Sequence, residues 1–240
     1  MKSEVFHFKK FDIDQTGSPV KVGTDGVLLA SWMRLHDAES ALDIGTGTGV
    51  IAVMLAQRSE GLTRICGVEI EERACERAVF NAKESPWSHR LMMHHASIQD
   101  FVKTQKKCYD LIVTNPPFFR GSTLSHDPDR NRIRHSISLT YKDLLDSVGQ
   151  LLCPCGFFNI ILPGPEGIEF EQKAEKSGLF ITRKTKVFSL REKPVERLLL
   201  EFSRSPVSDP DQDELVIHRS KDRGFTWEYR NLTRDFYLKF

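Results

Sequence analysis

A glycine-rich turn preceded by an acidic residue is the first group in the sequence whose residue types and spacing could do chemistry. It reads Asp43-Ile44-Gly45-Thr46-Gly47-Thr48-Gly49. Glycines at such a turn let the backbone approach a ligand closely. Asp43 is unsuited to a pyrophosphate, but it can accept charge-assisted hydrogen bonds from the ammonium group of an amino-acid moiety. Val50 stands where the third glycine of G-x-G-x-x-G belongs, which argues against NAD.

A second acidic residue follows the next predicted strand, in the sequence Gly67-Val68-Glu69-Ile70. Glu69 could accept hydrogen bonds from two ribose hydroxyls, as acidic residues do at the equivalent strand end of nucleotide-binding folds. Ile70 could flank an adenine. The glycine-rich turn and Glu69 stand at the ends of successive predicted strands. Together they predict a site for a cofactor with an amino-acid part and a nucleoside part.

The four residues Asn115-Pro116-Pro117-Phe118 follow the fourth apolar run, 109–114. Two prolines fix φ and remove two amide donors, so this loop presents acceptors. The Asn115 side-chain oxygen and the Pro116 carbonyl could accept both N–H bonds of an amine on a planar group and orient its lone pair. Phe118 offers a face on which that group could stack. The alternative is a proline-rich turn with a buried phenylalanine.

Together these motifs resemble those of the class I methyltransferases, and the resemblance extends over residues 20–202. It implies S-adenosylmethionine as cofactor, with the glycine-rich loop around the methionine part and Glu69 on the ribose. Members often carry an acidic residue after the third strand that bonds the adenine amine, and here Ser97 stands in that region. The cofactor-binding residues implied are Lys21, Thr24, Asp25, Asp43, Gly45, Thr46, Gly47, Gly49, Glu69, Ile70, Ser97 and Asn115.

The segment 21–27, which contains Lys21, Thr24 and Asp25, precedes an apolar helix predicted over 27–32. It could be a plain helix start in which Thr24 or Asp25 caps the first turn. In similar amino-group methyltransferases the same segment closes over the cofactor.

A long polar segment, 119–138, follows the proline motif. Segments of this length without periodicity are usually functional or disordered. Arginine suits phosphate and base recognition, so we predict RNA contacts, against the alternative of a solvated loop. The predicted substrate-binding residues are Arg120, Arg130, Arg132 and Arg134.

The elements that must position these residues alternate between short apolar runs and helical patterns, which predicts a parallel sheet built from βα units. We expect strands at 41–44, 64–70, 91–96, 109–114, 157–162, 180–188 and 197–202, with helices at 49–57, 71–83, 141–152 and 166–177. The fold class predicted is α/β: a Rossmann-like class I methyltransferase with a seven-stranded, mostly parallel sheet and helices on both faces. One domain is expected, with a hairpin extension (1–22), a catalytic core (23–203) and a C-terminal extension (204–240). The hairpin could be a lid over apolar surface or could contact substrate.

Composition limits the remaining classes. The chain has 240 residues and a net charge of +1, so its overall charge does not indicate a nucleic-acid partner. The case for such a partner depends on local charge, and residues 219–240 carry a surplus of basic side chains. Five cysteines, an odd number, predict reduced thiols and a cytoplasmic protein. The Cys153 and Cys155 pair has no further ligands nearby, so no metal site is expected. No run reaches the roughly 20 apolar residues of a membrane-spanning helix.

The segment 20–26, the compact core and the ending 232–240 are similar to those of the bacterial enzymes that methylate N6 of the adenosine beside the anticodon of a valine tRNA. This resemblance spans the full chain and implies tRNA, met at its anticodon stem-loop, as partner, with no membrane, metal or obligate protein partner. The aromatic residues of the tail could stack RNA bases or could pack a last helix onto the core. Because guanine-N2 rRNA enzymes share the proline motif, such an enzyme remains an alternative, as does a non-catalytic RNA-binding protein of this fold.

Overall fold

A computed structural model describes residues 4–116, 139–220 and 224–240. These residues form a two-stranded hairpin and an eight-stranded mixed sheet with helices on both faces. The strands are β1 (Val5–His7), β2 (Asp12–Asp14), β3 (Ser40–Ile44), β4 (Arg64–Glu69), β5 (Leu91–His95), β6 (Tyr109–Thr114), β7 (Leu152–Pro163), β8 (Phe180–Phe188), β9 (Arg197–Ser203) and β10 (Asp211–Val216). The helices are α1 (Thr24–Trp32), α2 (Val50–Arg58), α3 (Glu72–Glu84), α4 (Ile98–Thr104), α5 (Tyr141–Leu151), α6 (Gly164–Lys176) and α7 (Trp227–Thr233).

The strand order of the large sheet is β10-β8-β9-β7-β6-β3-β4-β5. The neighbouring strands β7, β6, β3, β4 and β5 run parallel to one another, whereas β9 is antiparallel to both β7 and β8. The predicted α/β class is confirmed. The sheet has one strand more than predicted, because the edge strand β10 reads DQDELV and is mostly exposed, so it lacks the apolar pattern that marks the inner strands.

Alternation along β3 divides the core between the two faces of the sheet. Ala41 packs in the cluster on the side of α1, α2 and α3, whereas Leu42 and Ile44 pack in the cluster beneath α4, α5 and α6. Asp43 therefore shares the face of Ala41. The carboxylate that the sequence singled out points into the layer that α2 covers.

The predicted N-terminal hairpin is present, with β1 and β2 paired antiparallel. Phe8, Phe11 and Ile13 of this hairpin are buried against the core. The Lys9 amide donates to the Phe236 carbonyl at 2.9 Å, which joins the hairpin to the C-terminal tail. The hairpin and the tail therefore cover one side of the sheet together.

Three local features differ from the prediction. Helix α1 begins at Thr24 with Gly23 as its N-cap and no side-chain cap, so neither Thr24 nor Asp25 caps it. Helix α4 was not predicted, because its seven residues are too few to show a clear period. Strand β7 also begins at Leu152, directly after α5, and is longer than the predicted 157–162.

The expectation of five reduced thiols was wrong for two of them, since Cys108 and Cys153 form a disulfide with 5.0 Å between their Cα atoms. Strands β6 and β7 are parallel neighbours with Tyr109 opposite Leu152, and this register brings the two cysteines together. Cys155, the other member of the C-x-C pair, is exposed. Sequence spacing alone did not reveal the pairing because the partners are 45 residues apart.

Within the described ranges, no helix has the length and apolar character needed to cross a membrane. The same residues contain no group of three or more His, Cys, Asp or Glu side chains arranged to hold a metal ion.

Candidate active site

Three neighbouring parallel strands bring Asp43, Glu69 and Asn115 to one edge of the sheet. Strand β3 lies between β4 and β6, with Asp43 opposite Gly67 on one side and Val113 on the other. The Thr114 hydroxyl donates to the Ile44 carbonyl at 2.8 Å and so ties the last residue of β6 to β3. The carboxyl edge of such a sheet is where α/β folds bind ligands.

The glycine-rich loop after β3 has a fixed backbone. Gly45, Gly47 and Gly49 have φ angles of 69°, 58° and 84°, which favour glycine over any residue with a Cβ. The amides of Gly45 and Thr46 both donate to the Val68 carbonyl, at 2.9 and 3.1 Å. The loop is thus anchored on β4 before α2 begins.

Glu69 fastens the other side of this loop. Its Oε2 accepts a hydrogen bond from the Gly47 amide at 2.8 Å, and its Oε1 accepts one from the Glu71 amide at 2.9 Å. A carboxylate oxygen has two acceptor positions, so each oxygen retains capacity for a second donor, such as a ribose hydroxyl. Gly67 permits the close contact behind the loop, since a Cβ there would lie 2.9 Å from the Thr46 Oγ1.

Asp43 is fully buried, and its Oδ2 accepts a hydrogen bond from the Thr46 hydroxyl at 2.6 Å. Its Oδ1 is buried and completes no hydrogen bond with the residues that the structure describes. Burial raises the pKa of Asp43 to about 7, with a smaller upward effect of Glu69 and opposing effects of the Thr46 hydroxyl and the Ala52 amide. A buried carboxyl group with an unsatisfied oxygen fits a site that receives a cationic ammonium group.

Asn115, half-buried at the end of β6, lies against the first turn of α1. A Cβ built on Gly26 would be 3.8 Å from the Asn115 Nδ2, so the side-chain amide adjoins the start of α1. The start of α1 is held in turn by Asp25, whose Oδ2 accepts from the Arg197 Nε at 2.8 Å. Pro116 is buried.

The segment before α1 crosses over the glycine-rich loop. A Cβ on Gly47 would meet the Val20 side chain at 3.0 Å. Lys21 pairs with Glu4 and donates to the Gln15 carbonyl at 2.8 Å, which fixes the segment to the hairpin. Lys21 and Thr24 lie on the segment that contacts the loop through Val20, and their closing role stays a prediction.

Ile70 and Ser97 occupy the ends of neighbouring strands. Ile70 is 41% exposed at the end of β4, so its side chain is accessible to a planar ligand. The Ser97 hydroxyl donates to the Asp100 carboxylate at 2.8 Å and accepts from the Asp100 amide at 3.1 Å. It caps α4, a role that the sequence did not predict.

The remaining predicted site residues lie outside the described residues. They are Pro117 and Phe118 of the proline motif and the four arginines Arg120, Arg130, Arg132 and Arg134.

Two positioning residues were missed at the sequence level. Asn81, 2% exposed, donates from Nδ2 to the carbonyls of Thr48 and Asp14 and accepts at Oδ1 from the Asp14 amide, so it joins the hairpin to the glycine-rich loop. Its signal was a polar residue beside the small apolar residues Ala78 and Ala82 in α3. Arg197 gave no local signal, because its partner Asp25 lies 172 positions earlier.

Comparison with known proteins shows the family and the fold of the chain. The family model "Methyltransferase small domain" matches residues 18–153. A predicted O-methyltransferase from Agrobacterium tumefaciens superposes with a TM-score of 0.64 at 17% identity, covering 88% of this chain and 96% of that one. TrmK of M. capricolum, solved with S-adenosyl-homocysteine, gives 0.53 at 13% identity, covering 78% and 71%. At these identities the likeness shows the fold.

Curated relatives are similar over their whole length. A protein of Flavobacterium johnsoniae is 40% identical over 98% of this chain and 100% of its own, and one of Trichodesmium erythraeum is 40% identical over 100% of both. One of Serratia proteamaculans is 39% identical over 97% and 89%. Each carries the name tRNA1(Val) (adenine(37)-N6)-methyltransferase.

A sheet of this order with such a loop at its carboxyl edge is that of a class I methyltransferase, and its cofactor is S-adenosylmethionine. With full-length relatives at this identity, the chain belongs to the tRNA1(Val) (adenine(37)-N6)-methyltransferase family.

Proposed function

We propose that this chain transfers a methyl group from S-adenosylmethionine to N6 of an adenosine in tRNA, the adenosine beside the anticodon of valine tRNA. The observation that carries the proposal is the position of Asn115, at the end of β6 and beside the glycine-rich loop after β3. An amide oxygen at this position is an acceptor within reach of a group delivered to the cofactor. The names of the full-length relatives support adenine and tRNA.

The chain's part in the reaction is positioning and electrostatics. When bound, S-adenosylmethionine supplies an electrophilic methyl group, which passes to the amine nitrogen with cleavage of the carbon–sulfur bond and loss of one amine proton to solvent. Oδ1 of Asn115 and the carbonyl of Pro116 accept the two N–H bonds and orient the nitrogen lone pair. From their residue types, we assign to Pro117 a restriction of the backbone and to Phe118 stacking on the base.

The cofactor is held in three places. Asp43 favours the ammonium group, and Glu69 accepts the ribose hydroxyls while it holds Gly47. Ile70 flanks the adenine, with Ser97 nearby at the end of the next strand. The segment carrying Lys21, Thr24 and Asp25 covers the cofactor from above, where Val20 already meets Gly47.

We assign the RNA contacts to the four arginines predicted from the sequence. Arg120, Arg130, Arg132 and Arg134 contact the anticodon stem-loop through phosphates and base faces. A base in this loop is partly unstacked, so turning it into the site costs little. We infer a cytoplasmic location, where tRNA is the substrate.

The test is to incubate the protein with labelled S-adenosylmethionine and total RNA from a strain that lacks the gene, and then to map the labelled nucleoside. We expect N6-methyladenosine in one tRNA species. N2-methylguanosine in ribosomal RNA would overturn the substrate assignment, and binding of cofactor without transfer to any RNA would overturn the enzymatic role.

A further inference from the structure

A cavity of about 600 Å³ lies between the N-terminal hairpin, the start of α1 and the C-terminal tail. Its walls include the rings of Phe6, Phe225, Tyr237 and Phe240. This volume is within the range of small-ligand sites. The proposed cofactor and amine sites use none of these rings.

The structure divides the aromatic residues of the tail into two groups. Tyr229 and Phe236 are 2% exposed and belong to the core, so they pack the tail onto the protein. Phe225 and Phe240 are half-buried and line the cavity, with their ring centroids 4.9 Å apart in an edge arrangement. Their mutual packing makes the aromatic wall preformed, and base stacking needs such a rigid face.

The cavity and the proposed catalytic residue adjoin consecutive residues of α1. Thr24 and Asp25 line the cavity, and a Cβ built on the next residue, Gly26, would lie 3.8 Å from the Asn115 Nδ2. Consecutive residues of an α-helix are only about 1.5 Å apart along its axis. A ligand in the cavity is therefore close enough to belong to the same substrate as a base held at Asn115.

Polar groups in the cavity suit the edge of a base. The His218 Nδ1 is buried and has no hydrogen-bond partner in the part of the chain that the structure describes. Arg197 neutralises Asp25. Exposed Lys239 and Glu196 also line the cavity, and the Arg230 guanidinium lies 5.6 Å over the Phe240 ring.

We propose that this cavity binds an unstacked base of the RNA that flanks the target adenosine in the anticodon loop. A flat ring contacts the Phe225 and Phe240 rings, which lie at 71° to each other, so it stacks on one and meets the edge of the other. Its polar edge supplies the partner that the buried His218 Nδ1 lacks among the described residues. The proposal rests on the proposed function, since it requires an RNA substrate. By binding the flanking base, the cavity helps to position the target base and to select the RNA.

The test pairs a change in the RNA with a change in the wall. A set of anticodon stem-loops, each with one abasic nucleotide at a different loop position other than the target, is assayed with the unaltered protein and with Phe225→Leu. The leucine keeps apolar packing and removes the ring face, whereas Phe225→Tyr keeps the face and serves as rescue. Ile168→Ala, an exposed apolar residue of α6 on the other face of the sheet, is the matched control.

We expect one abasic position to raise KM for the RNA by roughly 5- to 150-fold in the unaltered protein, the range of base–aromatic stacking. With intact RNA, Phe225→Leu should have a KM raised by the same factor. With the abasic RNA, its KM should not rise further. Phe225→Tyr and Ile168→Ala should behave as the unaltered protein. KM for S-adenosylmethionine should not change in any of them.

Equal abasic penalties in the unaltered protein and in Phe225→Leu would overturn the proposal while leaving the proposed function intact. Failure of the unaltered protein to methylate the intact stem-loop would instead count against the proposed function. If Phe225→Leu lowers the melting temperature, the comparison of Phe225→Tyr with His218→Gln decides. The proposal predicts a smaller abasic penalty for His218→Gln, which lacks the hydrogen bond to the base, and an unchanged penalty for Phe225→Tyr; equal penalties in both variants would overturn it.

Discussion

Thr46 and Asp43 are joined by a hydrogen bond of 2.6 Å from the threonine hydroxyl to Oδ2 of a carboxyl group that no solvent reaches. This bond bends the glycine-rich loop back onto the strand that precedes it. It does not offset the burial of the carboxyl group, whose pKa is raised to about 7. Stability and cofactor binding therefore impose opposite requirements on the same residue.

Asp43→Asn should make the cofactor-free protein more stable at pH 8. The folded pKa of about 7 lies above the ordinary 3.8, so Asp43 lowers the free energy of unfolding progressively as pH rises from about 4 to 7. The neutral amide has no charge to bury. We therefore expect the free energy of unfolding to rise by on the order of 1 to 4 kcal/mol at pH 8, and by less at pH 5. Urea unfolding at the two pH values measures it.

The same variant should bind S-adenosylmethionine roughly tenfold or more weakly, since it lacks the charge that favours an ammonium group. In the unaltered protein, affinity should fall as pH drops from 8 to 6, because the proton on Asp43 must then be displaced. A pH-independent affinity equal to that of Asp43→Asn would contradict the assigned role.

Glu69→Gln should weaken cofactor binding by about 10- to 100-fold, a loss typical of hydrogen bonds to a charged group. Both oxygens of Glu69 accept a backbone amide, from Gly47 and from Glu71. A glutamine has only one side-chain oxygen, so one of these amides would lose its acceptor and face the glutamine NH2 group instead. Calorimetric titration with S-adenosylmethionine measures the change, and Glu72→Gln, exposed in the first turn of α3, is the control. Equal affinities for the two variants would refute the contact.

Gly26→Ala and Gly26→Leu should differ sharply. A Cβ at this position meets only ordinary contacts, at 3.7 Å from Ile51 and 3.8 Å from Asn115, so alanine fits and stabilises α1 by about 0.5 to 1 kcal/mol. The longer side chain of leucine must enter the space beside the Asn115 amide, so methyl transfer should be lost. Thermal unfolding and single-turnover transfer test the pair, and an active leucine variant would show that α1 does not border the reacting group.

Removing the disulfide should lower the free energy of unfolding by about 2 to 4 kcal/mol, since it closes a loop of 45 residues. Cys108→Ser should reproduce the effect of a reducing agent, and the reducing agent should then have no further effect on that variant. Cys155→Ser, which changes an exposed thiol, is the control. If the oxidised protein and Cys108→Ser unfold at the same urea concentration, this cross-link contributes nothing to stability.

The sequence predicted best the parts of the site that depend on local chain geometry. Asp43, the three glycines and Glu69 lie within two successive βα units, where backbone turns and strand ends impose residue types directly. The role of Ser97 as the cap of α4, the Arg197–Asp25 pair and the Cys108–Cys153 bond depend instead on which strands become neighbours. Strand β10 escaped prediction for a related reason, because an exposed edge strand needs no apolar alternation.

The central claim is that the main role of Asn115 is to orient the target amine, although the family resemblance also implies a contact with the cofactor. The most direct measurement compares Asn115→Ala with the unaltered protein, using single-turnover methyl transfer to valine tRNA together with calorimetric titration of S-adenosylmethionine. The account predicts that transfer falls by roughly 100-fold or more while cofactor affinity changes little. Turnover equal to that of the unaltered protein, or a loss explained wholly by weaker cofactor binding, would contradict it.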